Sequence, residues 1–450
     1  LLLTAVFSMR GRAADTPTAP IGVAKVDITP ETPVRMYGYG SRKTESEGVA
    51  GRLSASALVI GGDTGQGPVV LLAVDNGSVP PNIRAEVLRR LNTKMPLKPE
   101  QLMLCNAHIH SGPDLEGMDG LAGQEREHMV QYAEFLTGRL EQVVTQALAA
   151  RRPGRLAWAT GAVGFAANRR VLQDGKWTKF GAVADGPVDH GLPVMRVTDA
   201  DGKLMAVIVN YACHNTTLRP NFKQIHGDWG GCAQQYIQAD SPGVVAVLTI
   251  GCGADADPSP HGTVELCEQH GREIADEVKK LLGGTWKPIN PSVTPRTVAL
   301  DIPFDPLPSA EELKTFADKT FSAAQTLKLL EGGGKPPVSK RYEITTWTFG
   351  DDLAMVFLSD EIVVDYALRL RREFDGNRLW INGYSNEVLY YVASKRLIGE
   401  GGYEVNNSIS ALVTYGRPER QQPTMEDRIV EGVRSIIPAS FRTAPAAPNR

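Results

Sequence analysis

The chain has 450 residues, 42% of them hydrophobic and 22% charged, with a formal net charge of −3. This is the balance of a soluble globular protein long enough for one large or two ordinary domains. Charge near zero and the lack of any lysine or arginine cluster argue against nucleic acid or an anionic membrane as a partner.

The chain opens on Leu1-Leu2-Leu3-Thr4-Ala5-Val6-Phe7, and Ala13-Ala14-Asp15 follows. An apolar run ahead of small residues reads as the end of a secretory signal. Residues 1–14 are therefore expected to be a signal remnant, and the protein to be secreted or periplasmic. A ragged terminus would look similar, and Arg10 and Arg12 lie on the wrong side of the apolar run for a complete signal. No later run approaches the ~18 apolar residues of a membrane-spanning helix.

Val69–Val74 reads as a buried strand, 83–91 as a helix, and 101–105 as an apolar strand leading into Asn106-Ala107-His108-Ile109-His110-Ser111-Gly112-Pro113. Side chains two apart on a strand share a face, so His108 and His110 are expected side by side at its carboxyl end. Ligands collect at that end in layered α/β proteins, and imidazole is a preferred zinc ligand. Two polar residues where a strand meets solvent would give the same local pattern.

Next comes an amphipathic helix over 128–150, with Phe135, Leu136, Leu140, Val143, Val144, Ala147 and Leu148 at helical spacing. Leu204–Tyr211 and 244–250 are apolar, β-branched strands; 230–238 and Val264–Leu282 are helical. The style then repeats: 309–330 helical, 342–349 and Leu353–Leu358 strands, 361–374 helical. The alternation predicts an α/β protein of layered, mixed β-sheets flanked by helices. Gly332-Gly333-Gly334 with Pro336-Pro337 is the best candidate boundary, but strands resume after it and it reads as a surface loop. One domain over 15–437 and a disordered Ala/Pro-rich tail over 438–450 are expected. The five cysteines form no Cys-x-x-Cys pair and read as small buried apolar groups.

Two further strands end in chemistry-bearing residues. The Leu204–Tyr211 strand runs into Ala212-Cys213-His214-Asn215-Thr216, and the strand over 244–250 into Gly251-Cys252-Gly253-Ala254-Asp255-Ala256-Asp257-Pro258. Glycines in the second loop permit close backbone approach. His226 and Asp228 open the helix between them, either as pocket residues or as capping groups. Three strands ending in His-x-His, His and Asp-x-Asp point to a metallohydrolase.

The stretch 106–113 resembles the His-Thr-His-Ser-Gly-Pro signature of the neutral/alkaline, non-lysosomal ceramidase family. The similarity continues in order through Met36-Tyr37-Gly38-Tyr39-Gly40, Asn168-Arg169, Val188-Asp189 and Ala212-Cys213-His214-Asn215-Thr216. It goes on through Glu361 with Arg369 and Arg371, then Gly402-Tyr403-Glu404 and Tyr415-Gly416. About residues 20 to 430 are covered, matching the family's catalytic domain; its C-terminal immunoglobulin-like domain has no counterpart in the sequence.

The resemblance implies one zinc ion held by His108, His214, Glu361 and Tyr403, the last two resting on resemblance alone. It implies His110 as a proton-transferring neighbour and Arg169 as a stabiliser of the oxyanion. The substrate expected is a small-molecule or lipid N-acyl compound, cleaved at its amide by metal-activated water. The sequence departs from the family at one loop: ungapped, Asp257 stands where the family has serine, whereas a shifted register would restore Ser259. The ungapped register also keeps Asp255 in line, and makes Asp257 a catalytic candidate as a general base, an amine or hydroxyl ligand, or a second-cation site. All three suit a polar substrate, such as an N-acyl sugar or amino acid, better than ceramide. A deacylase or esterase of that kind, a zinc-bearing binding protein without catalysis, and an amidohydrolase barrel are the competing readings. No feature of the sequence bears on oligomeric state.

Overall fold

A computed structural model of the chain describes residues 17–317, 321–409 and 424–443. In chain order the first part forms β1 (Ala19–Asp27), β2 (Ser54–Ile60), β3 (Val69–Val74), α1 (Pro81–Asn92), β4 (Leu102–Asn106) and α2 (Gly123–Ala149). It continues through β5 (Arg152–Ala162), β6 (Ala166–Gln173), β7 (Lys176–Val183), β8 (Gly191–Asp199) and β9 (Leu204–Tyr211). Then come α3 (Asp228–Asp240), β10 (Val245–Ile250), β11 (Ala256–Pro258), α4 (Val264–Leu282) and β12 (Lys287–Ile289). The later part holds β13 (Val293–Pro303), α5 (Ala310–Ala317), α6 (Phe321–Glu331), β14 (Ser339–Phe349), β15 (Leu353–Leu358) and β16 (Glu361–Ile362). It ends with α7 (Val364–Glu373), β17 (Leu379–Asn382), β18 (Tyr391–Val392), α8 (Lys395–Glu400), α9 (Tyr403–Asn406) and α10 (Thr424–Ile436).

A mixed sheet in the order β10-β9-β8-β5-β1-β2-β3-β4, with β12 added on β5, is the larger of two main sheets. The second has the order β13-β14-β15-β17. Their residues alternate between two cores, which explains the continuous apolar strands. Val70, Leu72 and Val74 pack under α1 to α4, while Val69, Leu71 and Ala73 face the second sheet. In β15, Leu353, Met355 and Phe357 face the first sheet, and Ala354, Val356 and Leu358 pack under α7 and α10. The result is four layers, helix–sheet–sheet–helix, the layered mixed-sheet α/β class expected. Among the described residues no helix is long and apolar enough to cross a membrane.

β4 and β10 stand at opposite edges of the large sheet, yet the sheet's twist brings β10 against β4. The segment 383–386 closes the seam: the Gly383 amide donates to the Ile250 carbonyl, and the Asn386 amide to the Leu104 carbonyl. Strands far apart in sheet order thereby deliver their exits to one place.

Several local expectations change. The 361–374 stretch is not one helix: Glu361 and Ile362 form a two-residue strand paired with Tyr391 and Val392, and the helix starts at Val364. The helical run 309–330 appears as α5 and α6. The glycine-rich run at 332 lies in the connection between the paired strands β13 and β14. Order extends past 437, because Phe441 is fully buried against the α7–α10 core. Residues 1–14, Tyr415-Gly416 and 444–450 lie outside the described residues. All five cysteines are buried and unpaired.

Candidate metal centre and cleft

β4 ends at Asn106, so the two histidines after it do not meet by strand pleating. His108 adopts φ 54°, a left-handed conformation that turns the chain sharply. The turn, not the strand period, brings His110 Nε2 to 3.3 Å from His108 Nε2. The exits of β4 and β9 are stitched together: Ile109 bridges Asn215, and the Asn215 amide donates to the Ala107 carbonyl at 2.5 Å. His214 arrives from β9, its carbonyl accepting from Trp229 Nε1 at 2.8 Å.

Glu361 completes the group. Its Oε2 lies 3.2 Å from His108 Nε2 and 3.1 Å from His214 Nε2. The preceding Asp360, at φ 64°, accepts from the Leu389 amide and from Lys340, which anchors the strand that presents Glu361. Burial disfavours the Glu361 carboxylate, but the His108 and His214 imidazoles hold its pKa well below the usual range.

The donor set fits a metal ion. His108 Nδ1 donates to the Gly77 carbonyl at 3.0 Å and His214 Nδ1 to the Gly253 carbonyl at 2.9 Å. This leaves Nε2 of each ring facing inward, the arrangement that metal-bound histidines use. A cation among the two Nε2 atoms and the carboxylate oxygen would satisfy all three. The 3.1 and 3.2 Å distances from that oxygen to the two nitrogens are close to the ~3.3 Å edge of a tetrahedron with zinc-like bonds. His110 is different. Its ring nitrogens also fall in the group of three histidines whose ligand atoms lie within 4.8 Å of one another, yet its buried Nδ1 has no hydrogen-bond partner. Burial first, and then the neighbouring imidazoles, push its pKa well below the ordinary value. Gly38, at φ 91°, lies against it; a Cβ there would come within 2.3 Å of the His110 ring.

A cavity of about 520 Å³ opens beside the cluster, lined by His110, Arg169, Arg219, Asp257 and Tyr403 among others. A second lobe of about 610 Å³ shares His110, Tyr391 and Tyr403 and reaches Glu361. Tyr403 starts α9 at the rim, 41% exposed, its ring against Tyr391 and Phe180. Arg169, on β6, donates from Nε to Glu404 at 2.9 Å, from Nη1 to Asp257 at 3.1 Å and from Nη2 to the Tyr391 hydroxyl at 3.2 Å. Asp257 Oδ2 accepts from Arg219. Burial pushes the Asp257 carboxyl up, but Arg169, His214 and Arg219 outweigh it, and the pKa ends below the ordinary carboxylate value.

His108, His214 and Glu361 thus converge, with His110 beside them and Arg169, Asp257 and Tyr403 lining the adjoining cleft. Asp255 points away: its Oδ1 caps α7 at the Val364 amide, and its Oδ2 accepts from Asn168. Asp228 binds the Thr217 and Leu218 amides, and His226 Nδ1 accepts from the Asp228 amide, so both shape the turn after His214. Sequence reading missed Glu404, Tyr391 and Arg219. Glu404 stands inside the quoted Gly402-Tyr403-Glu404, but no spacing linked it to Arg169.

Four layers with a histidine–carboxylate donor cluster at converging strand exits define an α/β protein built around a candidate metal site. Residues 20–280 match the family model for neutral/alkaline non-lysosomal ceramidase, N-terminal. The chain belongs to that family. It is 29% identical over 253 residues to a neutral ceramidase of Pseudomonas aeruginosa, a match spanning 53% of this chain and 37% of that protein's length. The crystal structure of neutral ceramidase from Pseudomonas aeruginosa is similar with a TM-score of 0.71 at 21% identity, covering 96% of this chain and 77% of the other. A structure described as ceramidase complexed with C2 gives 0.72 at 20% identity, covering 97% and 78%. At these identities the structural likeness establishes the fold.

Proposed function

We propose that this protein is a zinc-dependent hydrolase that cleaves the amide bond of an N-acyl substrate, carried by one domain over 15–437. The convergence of His108 Nε2, His214 Nε2 and Glu361 Oε2 in a chain of the ceramidase family carries this reading. These three residues would hold the ion, with Tyr403 as fourth ligand from the rim. Zinc held there acts as a Lewis acid on a carbonyl and lowers the pKa of water toward ~7.

The chain's own residues supply the remaining chemistry. His110 lines both lobes of the cleft beside the proposed ligands, where its ring could take a proton and pass it to the leaving amine. Arg169 is permanently charged and held from three sides, which prepares it to meet the negative charge developing on the acyl oxygen. Asp257 has both oxygens on guanidinium groups, so it serves as a counter-ion that positions them and not as a free general base.

Metal analysis of the purified chain should find about one zinc per molecule, as a single catalytic site with an open position for water would bind. His108→Ala should lose it; full zinc occupancy in that variant would sink the ligand assignment. Release of acyl chain should be followed on a panel from ceramide to short N-acyl sugars and amino acids. Zinc bound with no turnover on any amide or ester would leave a binding protein instead.

A further inference from the structure

Two guanidinium groups, Arg169 and Arg219, line the 520 Å³ cavity against a single carboxylate, Asp257. Arg169 meets three separate acceptors, on Glu404, Asp257 and Tyr391. Arg219 is held more loosely. Its Nε donates to His261 Nδ1 at 3.0 Å, but both Nη atoms reach the same Asp257 oxygen, at 3.4 and 3.3 Å. A matched arginine–carboxylate pair makes two parallel bonds to two oxygens at roughly 2.7–2.9 Å. Here the other oxygen belongs to Arg169.

Arg219 therefore lacks a matched carboxylate of its own, on a side chain that is 27% exposed and that also meets the Tyr39 hydroxyl. The backbone beneath it is fixed. The Arg219 carbonyl accepts from Arg42, whose guanidinium also donates to the His110 carbonyl; the Leu218 carbonyl accepts from the Tyr39 hydroxyl at 3.0 Å. Tyr39 in turn packs its ring 4.9 Å from that of His110. This loosely paired guanidinium is thus built into the wall beside the proposed reaction centre.

We infer that Arg219 receives a carboxylate carried by the substrate, making the preferred substrate class an N-acyl amino acid. For the chemical step this rests on the hydrolase reading above; for binding it does not. An N-acyl amino acid carries its anion within a few bonds of the scissile nitrogen, and that anion would complete the second guanidinium's bonding. The amine side of a ceramide offers hydroxyls and an alkyl chain, which would desolvate Arg219 without returning a charged partner.

The test compares N-dodecanoyl-glycine with N-dodecanoyl-ethanolamine, which share an acyl chain and differ in the carboxylate. Wild-type protein should favour the glycine conjugate in kcat/KM, and Arg219→Ala should lower that ratio on the order of 10- to 100-fold, the worth of charge-assisted hydrogen bonds. Arg219→Lys should restore only part, since it keeps the charge but not the fork. Equal wild-type hydrolysis of both compounds, or an unchanged ratio in Arg219→Ala, overturns the inference and leaves the hydrolase reading standing. Calorimetric titration separates the reverse case: Arg219-dependent binding of the glycine conjugate, with no turnover of it or of any amide or ester in the panel, supports the binding inference and ends the hydrolase reading. If Arg219→Ala does not fold, the wild-type preference and the Lys variant decide.

Discussion

His108 and His110 show how a correct pairing can have a different cause. Period-two reasoning expects them side by side, and they are, but a left-handed residue places them together after the strand has ended. Their chemical difference lies in the groups behind them. His108 Nδ1 has the Gly77 carbonyl, while His110 Nδ1 has no partner, and only the folded chain shows this. Asp255 carries a prediction at the same scale. Burial pushes its carboxyl up to about 6, above the ~3.9 of an unfolded chain. The fold therefore prefers the neutral acid; that contribution is fully present below about pH 4 and is lost as pH rises through about 6. Asp255→Asn has no such titration, so its stability relative to wild type should rise by up to about 3 kcal/mol across that window and then level off. Urea unfolding at a series of pH values measures this; a flat difference would remove Asp255 as the titrating group.

Strands and long helices were legible as elements because periodicity and β-branching act locally. β3, β9, α4 and β15 fall on the stretches expected for them. Glu361 was misread as helical, since its strand conformation depends on pairing with Tyr391, thirty positions away in sequence and invisible to any window. The loop carrying Gly38 makes the element-scale prediction. Gly38→Ala would drive a Cβ into the His110 ring at a backbone angle that side chains resist. Amide hydrolysis should fall at least about tenfold, as loss of general acid–base catalysis would give, while zinc content stays unchanged. Loss of zinc together with activity would instead make His110 a ligand.

The donor cluster joins three separate parts of the molecule: the exit of β4, the exit of β9 and the short strand β16. An ion there would tie the edge strand β4 and the strand β9, next to the other edge, to the second sheet's outgoing chain. Removing it with a chelator should lower the melting temperature, through the loss of roughly 4 kcal/mol of stability if the ion is at a thousandfold excess over Kd. Returned zinc should restore it, and His108→Ala should show no response; a chelator-insensitive wild-type midpoint would separate the metal from stability. At this scale the division between sequence and structure becomes plain. The sequence by itself determined the layered α/β class, the apolar strands, the histidine-bearing exits and the family, because these rest on local pattern and ordered motifs. Tertiary structure alone decided that β4 and β10, at opposite edges of the sheet, meet at one seam, that Asp257 is clamped by two arginines while Asp255 caps a helix, and that Arg219 has only one oxygen of Asp257 to share. Sheet twist and long-range ion pairing set those relations, and neither has a local signature in the chain.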